Sequence, residues 1–163
     1  MPAPQSASPH ATIGKTPRQR WMGLLARAEP CHLQACAARL RPLPDYTVLR
    51  GAEPGLVMVR GRTGATGAPF NLGEMTVTRC AVRLADGTVG HAYVAGRDPG
   101  KARTAAVLDA LLASGHDVAR IEELVLIPLE RLEAGRRQTQ ARKSAATKVD
   151  FFTMVRSEHG GRD

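Results

Sequence analysis

Hydrophobic positions recur first at helical and then at alternating spacing, and that change outlines the elements. Thr16 can cap a helix whose first position suits Pro17, with Trp21, Leu24, Leu25 and Ala28 on one stripe. Pro30 opens a second helix in the same way, with Leu33, Cys36, Ala37 and Leu40 inward, before Pro42 and Pro44 end it. From Tyr46 the period falls to two. Residues 46–50 and 56–60 read as two strands separated by a turn at Glu53-Pro54-Gly55, and a glycine-rich connection, 61–69, leads into Phe70-Asn71-Leu72-Gly73 and a longer strand from Glu74 to Leu84. Asp98 caps a helix begun by Pro99, with Thr104, Val107, Leu108, Leu111 and Leu112 inward and Gly115 at its end. Two helices follow, 117–126 and 128 to about 148.

In the long strand the apolar residues change parity, from Met75 and Val77 to Cys80, Val82 and Leu84, which predicts a β-bulge near Thr78-Arg79. Asp86-Gly87 predicts a two-residue hairpin turn that sets Leu84 opposite Val89, Val82 opposite His91 and Cys80 opposite Tyr93. On that register Arg79 and Arg83 share the opposite face. His91, among apolar neighbours, reads either as a hydrogen-bonded core or interface residue or as an acid–base group. The fold class is α+β: an antiparallel sheet of about four strands with an N-terminal helical hairpin and C-terminal helices. Residues 1–16 hold few large apolar groups and are expected to be a disordered arm, 17–157 one domain, and 158–163 a disordered end.

Charge adds a partner class. The chain is +8, with nineteen Arg against four Lys, and guanidinium groups suit phosphates, phosphonates and carboxylates. Aromatics make up 4%, few for a protein that stacks single-stranded bases, so an RNA- or DNA-binding module is the second reading. Three cysteines without a CxxC pair argue against a disulfide framework, and Cys31, His32 and Cys36 fall short of a zinc ligand set, so no metal is expected. No apolar run reaches membrane-spanning length and no export signal is visible, which places the protein in the cytoplasm.

Motif by motif, the chemistry is thin. Gly96-Arg97-Asp98-Pro99-Gly100-Lys101 fails as a P-loop, because the residue after Lys101 is Ala102 and Pro99 removes a cradling N–H. A helix start flanked by Arg97 and Lys101 still attracts anions. The 61–67 loop, with Arg60 and Arg62 beside it, is either a phosphate contact or a plain connection. Together with Arg79 and Arg83 these are the candidate anion-binding residues. The basic run from Arg131 to Lys148 reads as a solvated or partner-facing helix. Phe151, Phe152, Met154, Val155 and Arg156 read as a subunit-interface anchor, the alternative being packing on their own domain. No catalytic residue can be named.

Five blocks then occur in one order: Arg18 to Met22, Glu53 to Arg62, Phe70 to Cys80, Gly96-Arg97-Asp98 with Asp109-Ala110-Leu111, and Asp150 to Arg156. In these the chain resembles PhnG, a subunit of the bacterial carbon-phosphorus lyase core complex. It departs at Ala65, where the family usually has glycine, and at Ser157. The resemblance implies phosphonate use during phosphate starvation. Adenine is displaced from MgATP by a phosphonate such as methylphosphonate, giving ribose 1-methylphosphonate 5-triphosphate. MgATP is then a substrate of the complex, and no cofactor is bound by this chain. The implied partners are PhnH, PhnI, PhnJ and a second copy of the chain. Nucleosidase chemistry falls to PhnI, so this subunit of a transferase is not expected to be catalytic alone.

Overall fold

The structure, a computed structural model, describes residues 16–63 and 67–146. Helix α1 (Pro17–Arg27) starts at a capping box: the Thr16 hydroxyl accepts the Gln19 backbone N–H at 3.2 Å, and Gln19 Oε1 accepts the Thr16 N–H at 3.0 Å. Helix α2 (Pro30–Ala38) follows, then strands β1 (Tyr46–Arg62), β2 (Pro69–Leu84) and β3 (Val89–Ala95). They form one antiparallel sheet in the order β1-β2-β3. Helix α3 (Pro99–Ser114) is capped by Asp98, which accepts the Lys101 N–H at 2.8 Å, and ends at Gly115 with φ +82°.

The sheet differs from the sequence expectation in three ways. Among the described residues it has three strands rather than four, because β1 runs straight through Glu53-Pro54-Gly55. Two extra residues are absorbed as irregularities between Val48 and Glu53, and β1 is an edge strand, where proline is tolerated. No bulge interrupts β2 near Thr78-Arg79: its register against β3 is unbroken from Val77 opposite Ala95 to Arg83 opposite Val89. The parity change has another cause. Cys80, Val82 and Leu84 face the helices, whereas Val77, 2% exposed, is buried on the opposite face.

The hairpin register is also one residue away from the expected one. Leu84 N–H donates to Thr88 O at 2.9 Å and Gly87 N–H to Leu84 O at 3.0 Å, closing a three-residue loop with Gly87 at φ +88°. The Asp86 carboxylate accepts the Thr88 N–H at 2.8 Å, a bond that favours this loop and holds the Asp86 pKa below its ordinary value. A one-residue slip exchanges the faces. Gly90, Ala92 and Val94 therefore pack inward, and His91 and Tyr93, expected among apolar neighbours, stand on the exposed face.

Inside, α3 crosses the sheet with Ala102, Ala105, Ala106, Leu108 and Ala110 buried against it, while α1 and α2 close the same layer. Buried Thr78 joins sheet to helix: its hydroxyl donates to Gly96 O at 2.7 Å and accepts the Asp98 N–H at 3.1 Å. The break expected at Pro128 is absent. Helix α4 (Val118–Ile121), a π-helical turn (Glu122–Leu126) and α5 (Ile127–Ala146) form one rod, with Ile127 N–H bonded to Glu122 O. The widened turn lies just before Pro128, whose ring would strike the Leu124 carbonyl in a regular α-helix.

Ion pairs fasten this rod to the first two helices. Arg20 meets Glu122 at 3.0 Å and Glu130 at 2.8 Å, Arg27 meets Glu133 at 2.6 Å, and Arg136 meets Glu29 at 3.2 Å. Hydrogen bonds from Arg27 and Arg137 hold the Glu133 carboxyl below its ordinary pKa of 4.5. A depressed carboxylate contributes stability above its unfolded pKa and loses it as pH falls through the folded value. The wild type should exceed Glu133→Gln by about 1 kcal/mol at neutral pH, as for other solvent-accessible pairs. Urea unfolding of both proteins should show that gap closing as pH falls below 4.5.

Candidate functional site

The fold leaves one face of the sheet exposed at Arg83, His91 and Tyr93, although Val77 is buried on it, and ties the β3 edge to the helices through Asp109. This carboxylate, fully buried on α3, accepts four hydrogen bonds. Arg18 Nε donates to Oδ1 at 3.1 Å and Arg18 Nη2 to Oδ2 at 2.6 Å, while Trp21 Nε1 reaches Oδ1 at 2.8 Å. The His91 backbone N–H reaches Oδ2 at 2.8 Å. Arg18 also donates to Val89 O at 3.3 Å. One acid thus pins α1, α3 and the outer edge of β3 together. It lies in a continuous run of buried positions from Ala105 to Leu112, an interruption of an apolar stripe that could have singled it out in the sequence.

Arg79 and Arg83 do share the uncovered face, because residues two apart on a strand face the same way whatever the neighbouring register. Arg79 is set opposite Glu53 on β1 and Tyr93 on β3; Arg83 lies opposite Thr47 and Val89 and is exposed. The Arg79 guanidinium lies over Gly55, where a Cβ would come within 3.2 Å of Nη2, and its buried Nε has no hydrogen-bond partner among the described residues. Arg50 is turned to Glu53 at 3.3 Å. With His91 and Tyr93 exposed beside them, the guanidinium groups suit carboxylates or phosphates.

The other candidates lie apart from it. Arg60 and Arg62 occupy the far end of β1, opposite Asn71 and Pro69. Eight residues along β2 separate Asn71 from Arg79, roughly 26 Å at strand rise. Arg97 is exposed before α3, whereas Lys101 is 5% exposed and donates from Nζ to Ala26 O at 2.7 Å, completing the end of α1. Burial lowers the Lys101 pKa, with Glu29 and Asp98 opposing the shift. Phe151, Phe152, Met154, Val155 and Arg156 lie outside the described residues.

Burial pushes the Cys36 and Cys80 thiols up, away from the reactive thiolate. Among the described residues no three His, Cys, Asp or Glu side chains could hold a metal, and no helix is long and apolar enough to cross a membrane. One crevice, of about 490 Å³, is lined by Leu40, Leu84, Leu111 and Ile121 together with Asp45, Asp86, Asp117 and His116. Within it His116 Nε2 lies 3.9 Å from Asp86 Oδ2, and Asp117 lies 3.9 Å from Arg120 Nη1.

This constellation names no reaction, and comparison with known proteins supplies what it lacks. The family model described as phosphonate metabolism protein PhnG matches residues 16–157. The chain belongs to the PhnG family. A curated relative, alpha-D-ribose 1-methylphosphonate 5-triphosphate synthase subunit PhnG of Rhizobium meliloti (strain 1021), is 47% identical over 145 residues, 89% of this chain and 92% of that protein. The comparisons favour this family over the nucleic-acid module also compatible with the basic composition.

Proposed function

We propose that this chain is a non-catalytic subunit of alpha-D-ribose 1-methylphosphonate 5-triphosphate synthase, acting in phosphonate metabolism. The observation that carries the reading is the 47% identity to a subunit of that name, across nearly the full length of both chains. In the reaction, methylphosphonate displaces adenine from MgATP. The ribose keeps its 5-triphosphate and gains the phosphonate at C1. MgATP is a substrate of the assembly, and this chain binds no cofactor of its own. Its companions are PhnH, PhnI and PhnJ, with a second copy of the chain in the complex, in the cytoplasm and under phosphate starvation.

The cationic face fits this role. Arg79 and Arg83 offer guanidinium groups to a partner carboxylate or to an anion held by the assembly, with Arg60, Arg62 and Arg97 as further contacts. The tail residues Phe151, Phe152, Met154, Val155 and Arg156 have the composition of an interface anchor.

Adenine release from MgATP and methylphosphonate tests the reading. The isolated chain should release none, and the co-expressed subunits should release it only when this chain is included. Arg83→Glu, at an exposed position, should reduce that release while shifting the unfolding free energy of the isolated chain by less than about 0.5 kcal/mol. Turnover by the chain alone, or full turnover by the other subunits without it, would refute the proposal.

A further inference from the structure

Strand β3 covers β2 only from Val77 to Arg83, whereas β1 and β2 continue together to Arg62 and Pro69. Residues 56–62 and 69–76 therefore form a two-stranded arm beyond the three-stranded body. It holds large apolar side chains in solvent: Leu56 is 63% exposed, Leu72 66%, Met58 53%, and Phe70 and Met75 43% each. They occupy both faces, since Leu56 and Met58 project from one and Met75, opposite Val57, from the other. Both backbone edges are also free of a neighbouring strand among the described residues. A two-stranded ribbon is marginal by itself, and an apolar element of this kind with open edges marks an interaction site.

We propose that this arm is the element by which the chain inserts into a different subunit of the synthase, into an apolar groove with carboxylates where Arg60 and Arg62 arrive. Apolar groups on both faces call for a groove rather than a flat surface. Charge selects the occupant. Arg60 and Arg62 share one face near the arm's end, neither has a carboxylate within 4.0 Å among the described residues, and the chain as a whole is +8. Two copies meeting through their arms would bring these like charges together, whereas an acidic partner gains from them. Phe, Met and Arg are the residue types enriched in such interfaces. The inference rests on the reading of the chain as a synthase subunit.

Co-expression of the tagged full-length chain with the other synthase subunits provides the test. Leu56→Ser with Leu72→Ser should cut partner recovery at least tenfold, with the unfolding temperature of the isolated chain unchanged. Arg60→Glu with Arg62→Glu should weaken recovery too, and decides the matter should the first variant fold poorly. Stoichiometric recovery with the serine pair would overturn the docking element. Undiminished recovery with the glutamate pair would overturn the acidic groove. A wild-type dimer in sedimentation that the serine pair abolishes would assign the arm to a second copy and overturn the chosen partner. Recovery of no partner by the wild type would instead remove the subunit reading, and this inference with it.

Discussion

Asp109→Ala should lower the unfolding free energy by about 3–5 kcal/mol, a large share of the 5–15 kcal/mol typical of a domain. The cost arises from the donors left behind more than from the ion pair. Arg18 is 43% exposed and can turn to water, but the Trp21 indole N–H and the His91 backbone N–H would lose their acceptor in a packed interior. An unsatisfied buried donor costs roughly 1–3 kcal/mol, and two of them account for most of the effect. Asp109→Asn keeps one acceptor oxygen and should lose less, whereas Arg18→Ala leaves a buried carboxylate without its cation. Urea unfolding of the three variants, with unchanged denaturant dependence, checks the order. A loss below about 1 kcal/mol for Asp109→Ala would show that Asp109 does not join the helices to β3 as argued.

Gly90→Val should prevent α3 from seating on the sheet. A Cβ at Gly90 would lie 2.1 Å from Ala106 O, 2.5 Å from Ala110 N and 2.6 Å from Ala110 Cβ, and the first two of these atoms belong to helix backbone that cannot rotate away. Overpacking a core ordinarily costs about 1–3 kcal/mol, and a collision with backbone lies at or beyond the top of that range. Even Gly90→Ala should cost about 3 kcal/mol, and the valine variant should be recovered mainly unfolded. Gly73→Ala is the control, because nothing lies within 4 Å of its added carbon. It should change stability by less than about 0.5 kcal/mol. A soluble Gly90→Val protein with native circular dichroism and an unchanged melting temperature would contradict the close approach of α3.

The close approach at Gly90 lay outside the reach of sequence reasoning and Asp109 showed there only as an acid interrupting an apolar stripe, while much around them was legible. The starts of α1 and α3 were readable from Thr16-Pro17 and Asp98-Pro99, because a helix cap is a bond between residues three apart. The end of α3 at Gly115 and the place of the β2–β3 turn were readable for the same reason. The shared face of Arg79 and Arg83 followed from strand alternation alone, and the ordered blocks of residues carried the family.

Tertiary structure decided the rest. Hairpin register depended on whether Asp86-Gly87 closed two residues or three, and the bond from Thr88 to Asp86 accompanies three, which carried His91 and Tyr93 to the other face. Glu53-Pro54-Gly55 became strand rather than turn because β1 is an edge with a long partner in β2. The roles of Asp109 and Lys101 were hidden because their partners are remote in the chain: Arg18 lies 91 residues from Asp109, and Ala26 lies 75 from Lys101. A local pattern records bonds that close within a turn of chain; a buried carboxylate or ammonium acquires its meaning only when packing brings distant donors and acceptors together and excludes the water that would otherwise satisfy them.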